Sequence, residues 1–276
     1  MFKKTLNPDG KTAIIHDGKG KLLGTVSMNL NDADIKQVSQ DLSFDEKTYA
    51  HDLKGEMPDK LTSLEDAFTG LDKQWEGEVL GQQMHDAGDK NWAQIEWIGW
   101  GFEFWAKNNL KEHFQIHEDV DSENKTLFDA HNEFPWDFKT HVLTNARGKP
   151  NKLTPLNDKA AIDEALEKYG KVGFVIVEGH ATFGTRFEQW RMALKGAFSK
   201  AQVRNQQEGR PSRQRKDSFT VEHVNVYVIT KEDMDSLKTN KVMTIFKQGR
   251  QADGSARKEK YNFDTNKVKP TMQIMF

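Results

Sequence analysis

The chain has 276 residues, of which 36% are hydrophobic and 30% charged, and its formal net charge is −2. It contains no cysteine, which excludes disulfides, thiolate metal sites and a cysteine nucleophile. No window approaches the roughly 18 consecutive apolar residues of a membrane span, and the N-terminus lacks the apolar run of a signal peptide. We therefore expect a soluble, cytoplasmic protein with no membrane partner.

The small net charge hides a division along the chain. Residues 181–276 hold 19 Lys and Arg against 10 Asp and Glu, a balance of +9, whereas residues 1–180 hold 21 against 32, a balance of −11. A basic segment of this size favours a polyanionic partner. The alternative is that the acidic and basic parts pair with each other, within one chain or between copies.

The N-terminal part, which we place at residues 1–156, begins with a predicted β-hairpin. Two apolar stretches, 12–16 and 22–28, flank an Asp-Gly pair, which is a strong turn signal. Apolar residues at helical spacing then predict one helix over 62–84. Four Trp and three Phe within 91–114 favour a buried aromatic core over an exposed stacking surface.

Residues 117–155, with three prolines, are predicted to be rich in loops. The C-terminal part, residues 157–276, alternates helices and strands around one long polar segment. In chain order the predicted elements are a helix at 158–170, a buried strand at 172–177, a helix at 183–201, an exposed arm at 202–217, a strand at 219–229, a short helix capped by Thr230, and strands at 242–246 and 272–276.

The predicted fold class is α+β. It has a helical, aromatic-rich N-terminal part and a mixed or antiparallel sheet with flanking helices in the C-terminal part.

The arm and a second basic stretch at 247–260 are the candidate nucleic-acid-binding segments. Guanidinium and ammonium groups bind phosphate oxygens, and aromatic rings beside them can stack on bases. The predicted contact residues are Lys195, Lys200, Arg204, Arg210, Arg213, Arg215, Lys216, Arg250, Arg257 and Lys258, with Phe198 and Tyr261 as stacking rings. A solvated loop without a partner is the alternative.

Two further patterns suggest metal-dependent nuclease chemistry. The spacing of His117, Asn132 and His141 resembles the His–Asn–His nuclease pattern, although Ile116 stands where that pattern has an Asp. In that class one His activates water, the Asn orients the hairpin and the last His helps to hold a divalent ion.

A predicted strand ends in Glu178-Gly179. The segment Val175–Gly179 resembles the opening of the Toprim metal-binding domain. Glu178 would then act with Asp233 and Asp235, which follow a later strand. An ordinary helix start explains these two aspartates equally well, because acidic residues favour the N-terminal dipole.

The leading hypothesis is a nucleic-acid-binding protein that prefers single-stranded or sequence-tolerant DNA binding, as in phage-type or mobile-element DNA metabolism. A divalent-metal nuclease using one of the two sets above is the second hypothesis. The third is a structural or assembly subunit that pairs acidic and basic faces, forming a homo-oligomer. The sequence predicts no cofactor or resident metal, names no catalytic residue, and leaves open whether the protein is an enzyme.

Overall fold

A computed structural model describes residues 49, 51–116, 128–196, 203, 207–208, 214–247, 249 and 255–276, together with the backbone of three N-terminal strands. The chain divides into two compact units, Met1–Thr48 and Tyr49–Phe276. In the first unit, β1 (Lys3–Leu6), β2 (Thr12–His16) and β3 (Leu22–Ser27) form an antiparallel sheet in that order. The two strands of the predicted hairpin are confirmed by the pairing of β2 with β3.

The second unit is built on a seven-stranded mixed sheet. Its strands are β5 (Gln74–Glu76), β6 (Gln115–Ile116), β7 (Ala130–Asn132), β8 (Phe134–Val142), β10 (Lys171–Gly184), β11 (Arg215–Thr230) and β15 (Met272–Met275). The spatial order is β15-β11-β10-β8-β7-β6, and β5 pairs with the first part of β11. Among the described strands of this sheet only β8 and β10 are parallel neighbours, and the other pairs are antiparallel.

Two smaller sheets hold the other described strands of this unit. β9 (Leu153–Asp158), β12 (Met243–Phe246) and β13 (Lys260–Asp264) form an antiparallel sheet in the order β12-β13-β9. β4 (His51–Asp52) pairs in parallel with β14 (Val268–Lys269).

Helices cover both faces of the main sheet. They are α1 (Leu64–Ala67), α2 (Gly77–Asp86), α3 (Trp97–Asn109), α4 (Lys159–Tyr169), α5 (Arg186–Lys195) and α6 (Met234–Thr239), with short 3-10 helices at Asp59–Leu61, Phe68–Gly70 and Lys231–Asp233. The predicted α+β class and the mixed sheet with flanking helices are confirmed.

The main sheet separates two hydrophobic cores, because side chains alternate between the faces of a strand. On β10, Val175 and Val177 belong to one core, which holds the aromatic rings of α3 such as Trp97 and Phe102. Ile176 belongs to the other core, with the apolar residues of α4, α6 and the β12-β13-β9 sheet. The prediction that Trp97 and Phe102 fill a core is therefore confirmed.

The sheet crosses the sequence division predicted at residues 156 and 157. β8, from the acidic part, pairs with β10, from the basic part, and β5 pairs with β11. That division describes charge and composition along the chain, whereas the boundary between compact units lies at residues 48 and 49.

The helix predicted over residues 62–84 is wrong in its middle. The chain forms α1 and a 3-10 turn, extends at β5 and becomes helical again only at Gly77. Trp75 on β5 pairs in register with Phe219 and is 6% exposed. Tertiary pairing with β11 thus outweighs the local helical periodicity.

Candidate functional site

A cleft follows the edge of β8 beyond the point where β7 ends. β7 pairs with β8 only as far as Trp136, whereas β10 continues along the other side of β8 to Val142. This part of β8 pairs with no described strand on the side of β7, and beside it lies a cavity of about 630 Å³. Among the residues lining it are Glu96 and Glu103 from the region of α3, Lys139 and His141 on β8, Arg147, and Gln214 and Lys216 at the start of β11.

Asp129, Asp137 and Lys139 are brought together beside the cleft by the β7-β8 hairpin. The backbone N–H of Phe138 donates to Oδ2 of Asp129 at 2.7 Å, which fixes this carboxylate beside β8. Nζ of Lys139 lies 2.7 Å from Oδ2 of Asp137 and donates to the carbonyl oxygen of Phe138 at 3.2 Å. Asp137 is 2% exposed, and its Oδ2 accepts no hydrogen bond of good geometry from the described residues.

Burial and the neighbouring charges shift the pKa values of Asp137 and Lys139. Burial raises the pKa of Asp137 well above its ordinary range, the nearby Asp129 raises it further, and Lys139 opposes the shift. Burial lowers the pKa of Lys139, but the charges of Asp137 and Asp129 outweigh this effect and raise it overall. Asp137 therefore tends to keep a proton, and with Asp137 neutral the charges of Asp129 and Lys139 balance, so a cation bound here would have to displace that proton.

A second polar group, centred on Glu178, lies within the sheet. Glu178 on β10 is in register with His141 on β8 and with His223 on β11. His141 Nδ1 lies 2.7 Å from Oε1 of Glu178, and His223 Nε2 lies 2.8 Å from Oε2. Since an ionised carboxylate only accepts hydrogen bonds, both imidazoles donate to it through these nitrogens.

Neutral donors complete the shell around this carboxylate. Thr265 Oγ1 donates to Oε1 of Glu178 at 2.7 Å, and Asn225 Nδ2 donates to Oε2 at 2.7 Å. Gln273 on β15 in turn donates to Oδ1 of Asn225 at 2.9 Å. Burial alone would raise the pKa of Glu178, but the histidine and threonine hydrogen bonds outweigh it and lower the pKa to about 2. The carboxylate is therefore a charged, hydrogen-bonded centre that joins four strands and the loop carrying Thr265.

The residues of the predicted His–Asn–His pattern have separate partners. His117 lies outside the described residues. Asn132 is buried and donates to the carbonyl oxygen of His113 at 2.7 Å. His141 is bonded to Glu178.

The second predicted metal set also has separate partners. Oδ2 of Asp233 accepts the backbone N–H and the hydroxyl of Thr230 at 2.9 and 2.8 Å. The hydroxyl oxygen of Thr230 also accepts the backbone N–H of Asp233, so the two residues form a capping box. Asp235 lies exposed on α6. These aspartates lie at the start of a helix, as the alternative interpretation of the sequence predicts.

The predicted nucleic-acid contacts fall in three places. Lys216 lines the cleft and forms an ion pair with Glu96, and Arg215 precedes it on β11. Lys195 is exposed at the end of α5. Arg257 is exposed, and Lys258 pairs with Asp158 at 3.4 Å, at the opposite end of β9 from the residues that line the cleft.

Other predicted contacts lie outside the described residues: Lys200, Arg204, Arg210, Arg213, Arg250 and Phe198. Tyr261 has to be corrected as a stacking ring. It is 1% exposed, and its hydroxyl donates to Oδ1 of Asp163 at 2.9 Å. Packing between α4 and β13 leaves no face of this ring available to a base.

Asp129, Asp137 and Lys139 were not predicted from the sequence, because the three prolines of this segment are typical of loops. A signal was nevertheless present. Trp136 and Phe138 alternate with Asp137 and Lys139, which is the period of a strand with an apolar and a charged face. Charged residues on the inner strand of a sheet are candidates for a functional site.

Among the residues that the structure describes, no cluster of three or more His, Asp or Glu side chains is arranged to hold a metal ion, so Asp129 and Asp137 would need ligands from water or substrate. None of the described helices is both long enough and apolar enough to cross a membrane. No protein family, no curated protein and no solved structure matches this chain.

Proposed function

We propose that the protein is a divalent-cation-dependent nuclease that hydrolyses phosphodiester bonds in the cleft beside β8. The observation that carries the proposal is the group formed by the half-buried Asp129, the buried Asp137 and Lys139, of which Lys139 lines the cleft. Mg²⁺ commonly binds to one or two carboxylates and completes its six ligands with water and substrate phosphate oxygens. Two carboxylates are therefore a sufficient protein contribution.

Each residue has a role that follows from its charge and position. Asp129 and Asp137 would hold the cation, which would supply polarisation of a phosphoryl oxygen and activation of a water. In the hydrolysis the water oxygen would bond to phosphorus, the bond from phosphorus to one sugar oxygen would break, and the proton that the water loses would end on that sugar oxygen. Lys139, with a side chain 24% exposed, is placed to stabilise the negative charge that develops on the phosphate.

Nucleic acid is the proposed substrate because the cleft combines this group with cationic and amide side chains. Lys216 and Gln214 line it, and the arm that precedes Gln214 is rich in arginine. The proposal joins the two leading hypotheses from the sequence, binding of nucleic acid and metal-dependent cleavage, but places the chemistry on different residues. Self-association and a phage-type setting stay predictions.

The direct test is cleavage of plasmid and of labelled DNA and RNA oligonucleotides, both single-stranded and duplex. We expect cleavage with Mg²⁺ or Mn²⁺, none with a chelator, and binding without cleavage in Ca²⁺, with affinity falling steeply as salt rises. Absence of both cleavage and binding at low salt with all three cations would contradict the proposal.

The raised pKa of Asp137 predicts how cation binding depends on pH. A cation must displace the proton that burial and Asp129 favour on Asp137, so binding releases a proton. The apparent Mn²⁺ affinity should therefore rise with pH, and it should level off at a pH where both aspartates are already ionised before the cation binds. Calorimetric Mn²⁺ titrations in two buffers of different ionisation enthalpy measure both affinity and proton release. Proton release of zero at every pH would be inconsistent with binding at this pair.

A further inference from the structure

We propose that the turn formed by residues 145–149, the cleft turn, binds the phosphodiester backbone several nucleotides away from the bond that is cleaved. This inference rests on the proposed nuclease function and adds a substrate-binding surface to it. Arg147 and Lys149 are the contact residues, and neither belongs to the basic arm or to the 247–260 stretch.

The cleft turn is held in one shape by the side chain of Asn145. Oδ1 of Asn145 accepts the backbone N–H groups of Arg147 at 2.9 Å and Lys149 at 3.2 Å. The backbone of Asn145 also donates to Lys149 and accepts from Gly148, at 2.9 and 2.8 Å. Gly148 has φ +69°, a conformation that suits glycine. A turn fixed in this way loses little conformational entropy when its side chains bind a ligand.

The cleft turn is also attached firmly to the main sheet. The backbone N–H of Leu143 donates to Gly179 on β10 at 2.8 Å, and the carbonyl oxygen of Leu143 accepts from the N–H of Asn151 at 2.8 Å. The side chain of Asn151 donates to the carbonyl oxygen of Val142 at 3.1 Å. Since β8 carries Lys139 and leads directly into the turn, the position of the turn relative to the aspartate pair is set by the sheet.

The cationic residues of the cleft turn, unlike Lys139 and Lys216, have no ion-pair partner among the described residues. Lys139 is paired with Asp137, and Lys216 with Glu96. Arg147 and Lys149 are exposed and form no ion pair with a described residue. Arg147 lines the cleft. An exposed guanidinium beside an exposed ammonium, without an acidic partner, is suited to two phosphates of one strand.

The spacing along the chain determines which phosphates these are. Lys139 and Asn145 are six positions apart. The chain is extended from Lys139 to Val142, which spans about 10 Å, and the whole segment spans at most about 20 Å. At about 3.4 Å of rise per nucleotide, a separation of about 10 to 20 Å corresponds to about three to six nucleotides of a strand. The cleft turn should therefore matter for an oligonucleotide and not for a small phosphodiester.

The test compares three proteins: the parent, the Arg147→Ala/Lys149→Ala variant, and a Lys60→Ala/Lys90→Ala control. The control removes the same charge from two exposed lysines that do not line the cleft. Binding of a labelled 16-nucleotide DNA in Ca²⁺ is measured against salt, and hydrolysis of bis(p-nitrophenyl) phosphate is measured in Mn²⁺. We expect the turn variant to bind about tenfold more weakly, with the slope of log affinity against log salt shallower by about 2. Its hydrolysis of the small diester should be unchanged.

The other possible outcomes distinguish the role of the cleft turn from the nuclease proposal itself. Equal oligonucleotide binding by the turn variant and the control overturns the role of the cleft turn and leaves the nuclease proposal intact. Loss of small-diester hydrolysis in the turn variant alone places Arg147 or Lys149 in the catalytic centre, which also overturns it. If the parent neither binds DNA nor hydrolyses the diester, the nuclease proposal itself is wrong.

Discussion

The Asp137→Asn variant is expected to lose cleavage activity by about a thousandfold or more while its free energy of unfolding stays the same or rises. Asn is nearly the same size as Asp but cannot give a cation the charge that an aspartate provides. Burial raises the pKa of Asp137, so at neutral pH its ionised form is the costly one in the folded state. A neutral side chain there removes that cost, and a gain in stability with a loss of activity is typical of a functional position.

The measurement pairs cleavage rates in Mn²⁺ with urea unfolding midpoints at the same pH. Asp66→Asn is the control, because Asp66 is an exposed carboxylate on α1 that should affect neither quantity. Asp129→Asn should resemble Asp137→Asn in activity. If Asp137→Asn cleaved at the parent rate, the catalytic centre would have to lie elsewhere. If it lost activity only by unfolding, the role of Asp137 would be structural.

Local sequence signals predicted much of the second unit. A glycine after a helical segment predicts the end of the helix, and α4 does end at Gly170, which has φ +72°. Thr230 was predicted to cap a short helix, and its side chain does so. The alternation of apolar residues over 219–229 predicted a strand, and β11 extends through it. These features depend on residues a few positions apart, which is why one sequence is enough to find them.

The candidate site depends on pairings that no local pattern contains. His141 and Glu178 were each singled out, in two different hypotheses, and the parallel register of β8 with β10 makes them partners of each other. Asp137 and Lys139 were missed because the segment around Pro135 has the composition of a loop, yet it forms the start of a nine-residue strand. The cleft exists because β7 is shorter than β8, which is a property of tertiary structure alone.

The Glu178→Gln variant should be the most destabilising single change among the polar residues of the sheet. The carboxylate accepts from four side chains: His141, His223, Asn225 and Thr265. A glutamine keeps the shape but replaces one acceptor oxygen with an NH₂ group, which would face a donor. A donor opposite a donor in a buried site leaves both unsatisfied, so the cost exceeds that of one lost hydrogen bond.

The pKa of Glu178 sets the size and the pH dependence of this effect. Its value of about 2 lies below the ordinary 4.5, and at 1.36 kcal/mol for each pH unit this corresponds to about 3 kcal/mol of stability. Because the folded-state pKa is the lower one, this stabilisation is present above pH 4.5 and is lost as the pH falls towards 2. The difference in unfolding free energy between parent and Glu178→Gln should therefore be about 3 kcal/mol at pH 7 and should shrink below pH 4.5.

Urea unfolding of both proteins at several pH values between 3 and 7 measures this difference. The other carboxylates that titrate in this range contribute equally to both proteins, so their contributions cancel in the difference. Glu222→Gln is the matched control, since Glu222 is about half exposed and pairs with the exposed His180 at 3.0 Å. An exposed pair of this kind contributes at most about 1 kcal/mol. A Glu178→Gln protein that matched the control at pH 7 would mean that the carboxylate is not the charged centre of the network. A large difference that stayed constant down to pH 3 would mean that packing, and not charge, accounts for the loss.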